Sequence, residues 1–196
     1  MDIEVEDFSA SFLAYKQRLI SALDDVPLES IVRLGDSLLS AWKTNKSIFI
    51  FGNGGSAANA NHLANDLIYG VSKEFGKALK ITSLSANSAV LTCLANDEGY
   101  DSVFDSQLAV LANPGDLAII LSGSGNSSNI VKALRYCSKA DIKSIAILGY
   151  SGGEAKQLAD LPIHVPIDDM QISEDLQLVI IHSAMQWLFS KKNEIL

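Results

Sequence analysis

The sequence predicts a three-layer α/β/α protein with a mainly parallel five-stranded sheet, preceded by two N-terminal helices. From residue 46 onward, short apolar runs alternate with longer segments of helical periodicity, which is typical of parallel strands joined by helical crossovers. Several of the short runs are apolar at every position, as expected for strands covered on both faces. The chain of 196 residues is long enough for one sizeable core and short for two, so we expect a single domain over residues 1–196.

The first 45 residues predict a pair of amphipathic helices. Apolar residues of the first helix recur at helical spacing: Phe8, Phe12, Tyr15, Leu19 and Leu23. Those of the second follow Pro27: Ile31, Leu34, Leu38 and Trp42. The apolar stripe of a short helix must be buried against something, so this pair covers the sheet or another copy of the chain. Residues 46–196 form the predicted α/β core.

Five apolar runs predict the strands of that core. In chain order they are SIFIF, ITSL, LAIIL, SIAIL and PIHVPI. Intervening segments such as SAANANHLANDLIYG and NSSNIVKALRYC have helical spacing, and Gly and Pro residues at 113–115 and 152–153 supply turns. A last helix is predicted from about residue 173 to residue 190, because its apolar residues again recur every three or four positions.

Composition narrows the classes of partner. The formal net charge of -8 argues against a broad basic surface, so we expect no direct binding of nucleic acid or of a membrane. Any anionic ligand must therefore be bound by a few groups at one site and not by a broad basic surface. The acidic N-terminus is unlike a secretory or transit signal, and no apolar run reaches the roughly 18 residues of a membrane span. We therefore expect a cytoplasmic protein. In such a compartment we also expect Cys93 and Cys137 to be buried, reduced thiols.

Two stretches of glycine and serine stand where a predicted strand ends and a helix begins. They read FGNGGSA at 51–57 and LSGSGNS at 121–127. In a parallel sheet this edge binds ligands, because helix N-termini present unpaired N–H groups there. Glycine lets the backbone approach a ligand closely, and backbone N–H groups with serine hydroxyls suit a phosphate without any lysine. The sequence therefore predicts a phosphate site formed by both loops.

Glycine and serine loops also occur in simple turns, in Walker loops and in dinucleotide sites. One such loop alone is more simply a tight turn with an N-cap, but two in parallel positions favour a ligand site. A Walker loop is excluded, because GNGGSA lacks the Gly-Lys-Ser/Thr ending. The dinucleotide fingerprint fits the letters of Gly52-x-Gly54-x-x-Ala57, yet the acidic residue that should hold a ribose is missing after the second strand, so nucleotide binding is not expected.

Five segments of the chain resemble, in order, the sugar isomerase (SIS) domain and within it the phosphoheptose isomerases. They are FGNGGSAANANHLANDL, CLANDEGYDSVF, SGSGNSSNIVKAL, LGYSGGE and the C-terminal helix containing IIH. The resemblance runs from about residue 46 to residue 189. It implies a homotetramer with active sites at subunit interfaces, conversion of sedoheptulose 7-phosphate to D-glycero-D-manno-heptose 7-phosphate, and often a zinc ion.

The resemblance also implies roles for individual residues. The sugar phosphate would lie on Asn53, Gly54, Gly55, Ser56, Ser122, Gly123, Ser124 and Ser127. Asn96 and Asp97 match an Asn-Asp pair of the family that follows the second strand. His62 matches a metal-ligand histidine, and His182 matches the histidine proposed as general acid.

At three positions the chain departs from the family pattern. Asp66 stands where the isomerases have a glutamate that is both metal ligand and general base, Glu174 stands in place of a glutamine, and Gly123 in place of a threonine. Aspartate is one methylene shorter than glutamate, which withdraws its carboxylate by about 1 Å and costs rate unless the backbone compensates.

Helical spacing adds a test of the metal site. His62 and Asp66 are four residues apart, so they share one helix face and can bind a metal, move a proton or form a local ion pair. Glu174 and His182 are eight apart, about 12 Å along a continuous helix. Both can ligate one zinc only if the helix starts between them or another subunit contributes. Taken alone, His182 in an apolar run is also compatible with a core histidine.

The sequence as a whole predicts a sugar-phosphate isomerase. Such a reaction passes through an enediolate and needs a base, an acid and positive charge near the oxygens. Asp66 is the predicted base, His182 the acid, and Zn²⁺ held by His62, Asp66, His182 and Glu174 the polarising group. The alternative is a non-catalytic SIS protein that binds a sugar phosphate or a protein partner, similar to the one that associates with the bacterial replication initiator. The carboxylate retained at position 66 favours the enzyme.

Overall fold

The computed structural model describes residues 7–71 and 78–192, so the acidic start of the chain lies outside the described residues. The strands are β1 (Ser47–Gly52), β2 (Lys80–Ser83), β3 (Leu117–Ser122), β4 (Lys143–Leu148) and β5 (Leu161–His164). The helices are α1 (Phe8–Asp24), α2 (Leu28–Lys43), α3 (Gly54–Tyr69), α4 (Ser88–Asp97), α5 (Asp105–Leu111), α6 (Ser128–Lys139), α7 (Ala155–Leu158) and α8 (Met170–Ser190), with a 3-10 turn at Tyr100–Ser102. All five predicted strands are present.

The strands form one sheet in the order β2-β1-β3-β4-β5. Each neighbouring pair among them is parallel, which confirms the predicted sheet. The chain moves from β1 to β2 on one side and then returns to place β3 on the other side of β1. This reversal of direction is a topological switch point, where the carboxyl ends of two adjacent strands leave a crevice between their loops. The glycine and serine loop of residues 51–57 follows β1, and that of residues 121–127 follows β3.

Alternate residues of the strands enter two separate buried clusters. Ile48 and Ile50 of β1 lie with residues of α2, α3 and α8 on one face. Phe49 and Phe51 lie with residues of α5 and α6 on the other face, where the Phe51 and Phe104 rings are 4.7 Å apart between centroids. The sheet is therefore covered by helices on both sides, and the three-layer prediction is confirmed.

The two N-terminal helices are buried to different degrees. Leu34 and Leu38 of α2 are completely buried in the same cluster as the sheet residues. In α1, by contrast, Phe8 and Phe12 are 81% and 56% exposed. This helix is attached through the Tyr15 hydroxyl, which donates to Asp175 of α8 at 2.5 Å. Helix α2 therefore contributes several residues to the core, although its Leu28 and Val32 are exposed, whereas α1 buries only Ala22.

The two cysteines differ, contrary to the expectation that both are buried. Cys137 of α6 is buried, but Cys93 is an exposed free thiol. No residue of α4 is buried, because this short helix packs only one side against the rest of the protein. The Cys93 thiol lies 3.5 Å from the Asp97 carboxylate, and this hydrogen bond raises the pKa of the thiol.

Within residues 7–71 and 78–192, no helix combines the length and the apolar character that a membrane span requires.

Candidate functional site

A cavity of about 250 Å³ lies at the switch point, between the loops that follow β1 and β3. Nine residues predicted to bind the phosphate or substrate line it: Asn53, Gly54, Gly55, Ser56, Ser122, Gly123, Ser124, Ser127 and Glu174. Leu121 and Met170 complete the lining. The first loop, the second loop and the start of α8 therefore meet in one place, as parallel strands with adjacent carboxyl ends require.

Helices α3 and α6 begin at this cavity without side-chain caps, as α2, α5 and α7 do elsewhere, whereas α1, α4 and α8 have them. The side chains of Asp7, Asn87 and Asp169 each accept a hydrogen bond from the first turn of α1, α4 and α8, respectively. Asn53 and Ser127 occupy the same N-cap position of α3 and α6 and are residue types suited to capping, yet neither caps its helix. N–H groups of both first turns thus remain available to an anion, and the helix dipoles favour negative charge at this point.

A pair of asparagine side chains explains why Asn53 does not cap α3. Its Nδ2 donates to Asn129 Oδ1 at 2.9 Å, and Asn129 Nδ2 donates back to Asn53 Oδ1 at 3.0 Å. The Tyr100 hydroxyl donates to the same Oδ1 at 2.8 Å. Because Asn129 is the second residue of α6 and is only 1% exposed, this pair joins the loop after β1 to the first turn of α6.

Sequence reasoning missed Asn129. The one signal was a polar residue of low helix propensity beside the apolar face of a helix, in the segment SSNIVKAL.

Gln177 is a second missed residue. It is 1% exposed, and its Nε2 donates to Ser56 Oγ at 3.0 Å. Its Oε1 in turn accepts from Asn59 Nδ2 at 3.0 Å, which fixes the orientation of the amide. Since the Ser56 oxygen accepts from Gln177, the Ser56 hydroxyl proton is free to donate into the cavity.

The glycine at position 123 makes room for a neighbouring side chain. A Cβ atom on Gly123 would lie 2.8 Å from Met170 Sδ, which is closer than real Cβ atoms come to their neighbours. Met170 also lines the cavity. The departure from the threonine of the family is therefore matched by a methionine that occupies the space beside it.

Glu174 is the acidic residue of the cavity. A Cβ atom on Gly55 would overlap both oxygens of the Glu174 carboxylate, so this carboxylate lies against the first turn of α3. Within the described residues, no hydrogen bond or ion pair reaches its oxygens, and no lysine or arginine lines the cavity.

A second group of polar side chains lies farther along α3 and α8. His62 Nε2 is 3.1 Å from His182 Nε2, and both face the same oxygen of Asp66. This Oδ2 is 3.5 Å from His62 Nε2 and 3.3 Å from His182 Nε2. The side chains of His62 and His182 are 50% and 35% exposed. The predicted base, the predicted acid and the predicted metal ligand therefore form one solvent-accessible cluster.

The spacing of these three atoms suits a metal ion. A tetrahedral zinc bound at about 2.0–2.1 Å by each ligand holds its donor atoms about 3.3 Å apart. The observed separations of 3.1, 3.3 and 3.5 Å are close to this value. In the described part of the chain, His62, Asp66 and His182 are the residues grouped at metal-binding distance. Two imidazoles and a carboxylate are ordinary ligands of zinc.

Glu174 is not part of that cluster. Helix α8 is continuous from Met170 to Ser190, so about 12 Å of helix separates Glu174 from His182. Within one chain, Glu174 instead lines the cavity between the two loops. A fourth ligand from Glu174 would have to come from another subunit, which stays a prediction.

Asn96 and Asp97 lie outside the lining of the cavity. Both are exposed at the C-terminal end of α4, where Asn96 Nδ2 donates to Asp97 Oδ1 at 2.7 Å. Tyr100, three residues later, is the residue of this segment that reaches Asn53. The role of Asn96 and Asp97 in substrate binding stays a prediction.

This chain is similar in sequence and in structure to known proteins of one family. The SIS domain family model matches residues 11–149. The phosphoheptose isomerase of Helicobacter pylori is 36% identical over 185 residues, which are 93% of this chain and 95% of that protein. A probable phosphoheptose isomerase of Thermoplasma acidophilum is 36% identical over 155 residues, 79% of this chain and 85% of its own length. The solved structure of the phosphoheptose isomerase from Neisseria gonorrhoeae superimposes with a TM-score of 0.86 at 27% identity, covering 94% of this chain and all of that one.

Proposed function

The chain belongs to the SIS domain family and resembles its phosphoheptose isomerases throughout, and from this premise we propose that it isomerises sedoheptulose 7-phosphate to D-glycero-D-manno-heptose 7-phosphate. The observation that carries the proposal is the pairing of two sites along α3: its N-terminus lies beside that of α6, and farther along it forms a cluster with α8. Two uncapped helix N-termini suit the phosphate, and a His-Asp-His cluster suits proton transfer at the other end of the sugar.

The separation of the two sites fits a long sugar phosphate. On α3, His62 follows Gly54 by eight residues, and on α8, His182 follows Glu174 by eight residues. Each interval corresponds to about 12 Å of helix. The path from C1 to the phosphorus of a heptose 7-phosphate has eight bonds and spans about 10 Å at about 1.2 Å of advance per bond in an extended chain. Contacts made by the phosphate oxygens and at C1 add about 3 Å at each end. A triose phosphate, with about half that path, is too short to occupy both sites.

Asp66 and His182 are the proposed base and acid. The carboxylate removes a proton from the carbon beside the carbonyl, and the enediolate then receives a proton on the neighbouring carbon. Asp66 and His182 approach each other to 3.3 Å, so a proton can pass between them while the sugar stays bound. Binding of the remote phosphate in both loops fixes the position of the reacting carbons.

We also propose that His62, Asp66 and His182 hold a zinc ion. When bound, the ion supplies a Lewis acid that polarises the substrate oxygens. The atoms that would bind zinc are also the atoms that would move the proton, since both roles use Nε2 of His182 and Oδ2 of Asp66. Zinc content and the zinc dependence of turnover decide which role these atoms perform.

A homotetramer with active sites at subunit interfaces is proposed for the assembly. The half-exposed His62 and the uncovered apolar side chains of α1 are consistent with coverage by another copy. Light scattering of the purified protein tests the number of subunits. We place the reaction in the cytoplasm, as a supply of heptose phosphate for surface-polysaccharide synthesis.

A coupled isomerisation assay with sedoheptulose 7-phosphate, run with and without added zinc, tests the function. The wild-type protein is expected to turn over, and Asp66→Asn is expected to lose turnover by at least about 100-fold while remaining folded, because an amide cannot act as a base. Asp141→Asn is the matched control, since Asp141 is an exposed turn residue with a positive φ of 55° that asparagine adopts readily. Absence of turnover by the wild-type protein under both conditions would refute the enzyme and favour a non-catalytic SIS protein.

A further inference from the structure

An unpaired carboxylate in a cavity suited to anions is an electrostatic conflict. Glu174 lines the cavity together with both loops. Its oxygens lie against Gly55, in the first turn of α3, where the helix dipole stabilises a negative charge. A phosphate bound in the cavity must therefore share the end of α3 with a carboxylate. Among the lining residues no cationic side chain is present to offset the repulsion between them.

We propose that Glu174 is a specificity-determining residue that admits phosphate esters carrying a hydroxyl group near the phosphate and disfavours phosphates that lack one. The proposal rests on the proposed function, since it takes the cavity to be the phosphate site. A carboxylate accepts hydrogen bonds and donates none. A ligand hydroxyl that donates to Glu174 offsets part of the repulsion and of the desolvation of this carboxylate, whereas a ligand without that hydroxyl leaves the carboxylate unsatisfied.

Discrimination of this kind works mainly through rejection of the wrong ligand. A polar group that only the correct ligand can satisfy penalises every analogue that cannot reach it. The open-chain form of a heptose 7-phosphate carries a hydroxyl group on the carbon next to the phosphorylated carbon. Methyl phosphate has no hydroxyl beyond its phosphate group. The carboxylate of Glu174 is thus expected to weaken the binding of methyl phosphate more than that of a sugar phosphate.

Titration calorimetry with two small esters tests this inference on the as-purified protein. Methyl phosphate lacks the neighbouring hydroxyl, and glycerol 3-phosphate has it. The wild-type protein is expected to prefer glycerol 3-phosphate by about tenfold or more, the range of a charge-assisted hydrogen bond. Glu174→Gln should lower this preference by at least about threefold, chiefly because methyl phosphate binds more tightly once the charge is removed. Glu174→Ala removes the charge and the acceptor together and should show the same tightening.

Asp175→Asn is the matched control for Glu174→Gln. It removes one negative charge from the next position of α8, but its side chain faces Tyr15 and not the cavity. This variant is expected to retain the wild-type preference. Repeating the titrations with a chelator separates repulsion from a metal-mediated effect.

Three results would overturn the inference. An unchanged preference in Glu174→Gln and Glu174→Ala would show that the carboxylate plays no part in selection. Weaker binding of methyl phosphate by both variants would show that Glu174 supports the phosphate instead of repelling it. Isomerase activity together with equal wild-type affinity for the two esters would refute selection while leaving the proposed function intact. If the wild-type protein bound neither ester and had no turnover, the proposed function itself would fall.

Discussion

Replacement of Asn129 by alanine tests whether the asparagine pair keeps the first turn of α3 available to an anion at the proposed phosphate site. The variant loses the two hydrogen bonds of 2.9 and 3.0 Å that join Asn129 to Asn53. Each such bond contributes about 1 kcal/mol net, and removing one partner also leaves polar groups of Asn53 without a partner. Because Asn53 can then cap α3 and recover about 1 kcal/mol, we expect the free energy of unfolding to fall by about 1–2 kcal/mol, a decrease in Tm of about 2–8 °C for a chain of this size.

The same variant should also weaken phosphate binding. Without Asn129, only the Tyr100 hydroxyl holds Asn53, and the Asn53 side chain can rotate to cap α3. An asparagine cap contributes about 1 kcal/mol. The phosphate would have to displace this cap, so its affinity should fall about fivefold. An increase in KM with a smaller change in kcat is the expected kinetic signature, because the chemical cluster lies about 12 Å away along α3.

Urea unfolding at fixed protein concentration, with titration of inorganic phosphate, measures both effects. Asn113→Ala is the matched control, because Asn113 is exposed and lies before β3, at the opposite edge of the sheet. It should leave stability and phosphate affinity near the wild-type values. Loss of stability in Asn129→Ala with unchanged phosphate affinity would refute the capping argument. Unchanged stability would refute the contribution assigned to the asparagine pair.

Three further outcomes are expected. His62→Ala should lose bound zinc on dialysis while remaining folded, because it removes one of three donors. Stoichiometric zinc in the dialysed variant, measured by metal analysis, would contradict the proposed zinc site. Gly125→Ala should destabilise the protein by at least about 2 kcal/mol in urea, because Gly125 has φ of 66° and its Cβ would overlap the Gly152 carbonyl oxygen; an unchanged midpoint would contradict this. Burial and the hydrogen bond to Asp175 raise the pKa of Tyr15 to about 12, so the stability that this phenol contributes is present below pH about 10 and is lost as pH rises through about 12. Tyr15→Phe should lack this alkaline loss, and an identical pH profile of unfolding would refute it.

Much of the fold could be predicted because strands buried on both faces leave a clear apolar signal. The five runs from SIFIF to PIHVPI correspond to β1 through β5. The sequence also predicts that the two loops lie at the same edge of the sheet, since both follow parallel strands. Their closeness depends on the strand order, with β1 beside β3, which periodicity alone does not supply. Order is set by how α3 and α6 pack on opposite faces of the sheet.

Other features depend on side-chain pairing between distant segments. Asn53 and Asn129 are 76 residues apart, and no local pattern indicates that their amides meet. Cys93 has apolar sequence neighbours but is exposed, because α4 is short and packs on one side. Gln177 similarly resembles a surface residue in sequence, although it is buried beneath Ser56. Local patterns therefore indicated which loops line the candidate cavity, but they did not reveal the polar contacts between distant segments around it.

The three departures from the family pattern have different physical consequences. Asp66 is one methylene shorter than glutamate, yet its Oδ2 lies 3.3 Å from His182 and 3.5 Å from His62, so the shorter carboxylate still reaches both imidazoles. Gly123 leaves space that Met170 occupies. Glu174 differs, because replacing an amide by a carboxylate changes the charge at the proposed phosphate site, whose lining residues include no cationic side chain. Proton transfer should therefore be preserved in this chain, and the difference from its relatives should appear in which phosphate esters it binds.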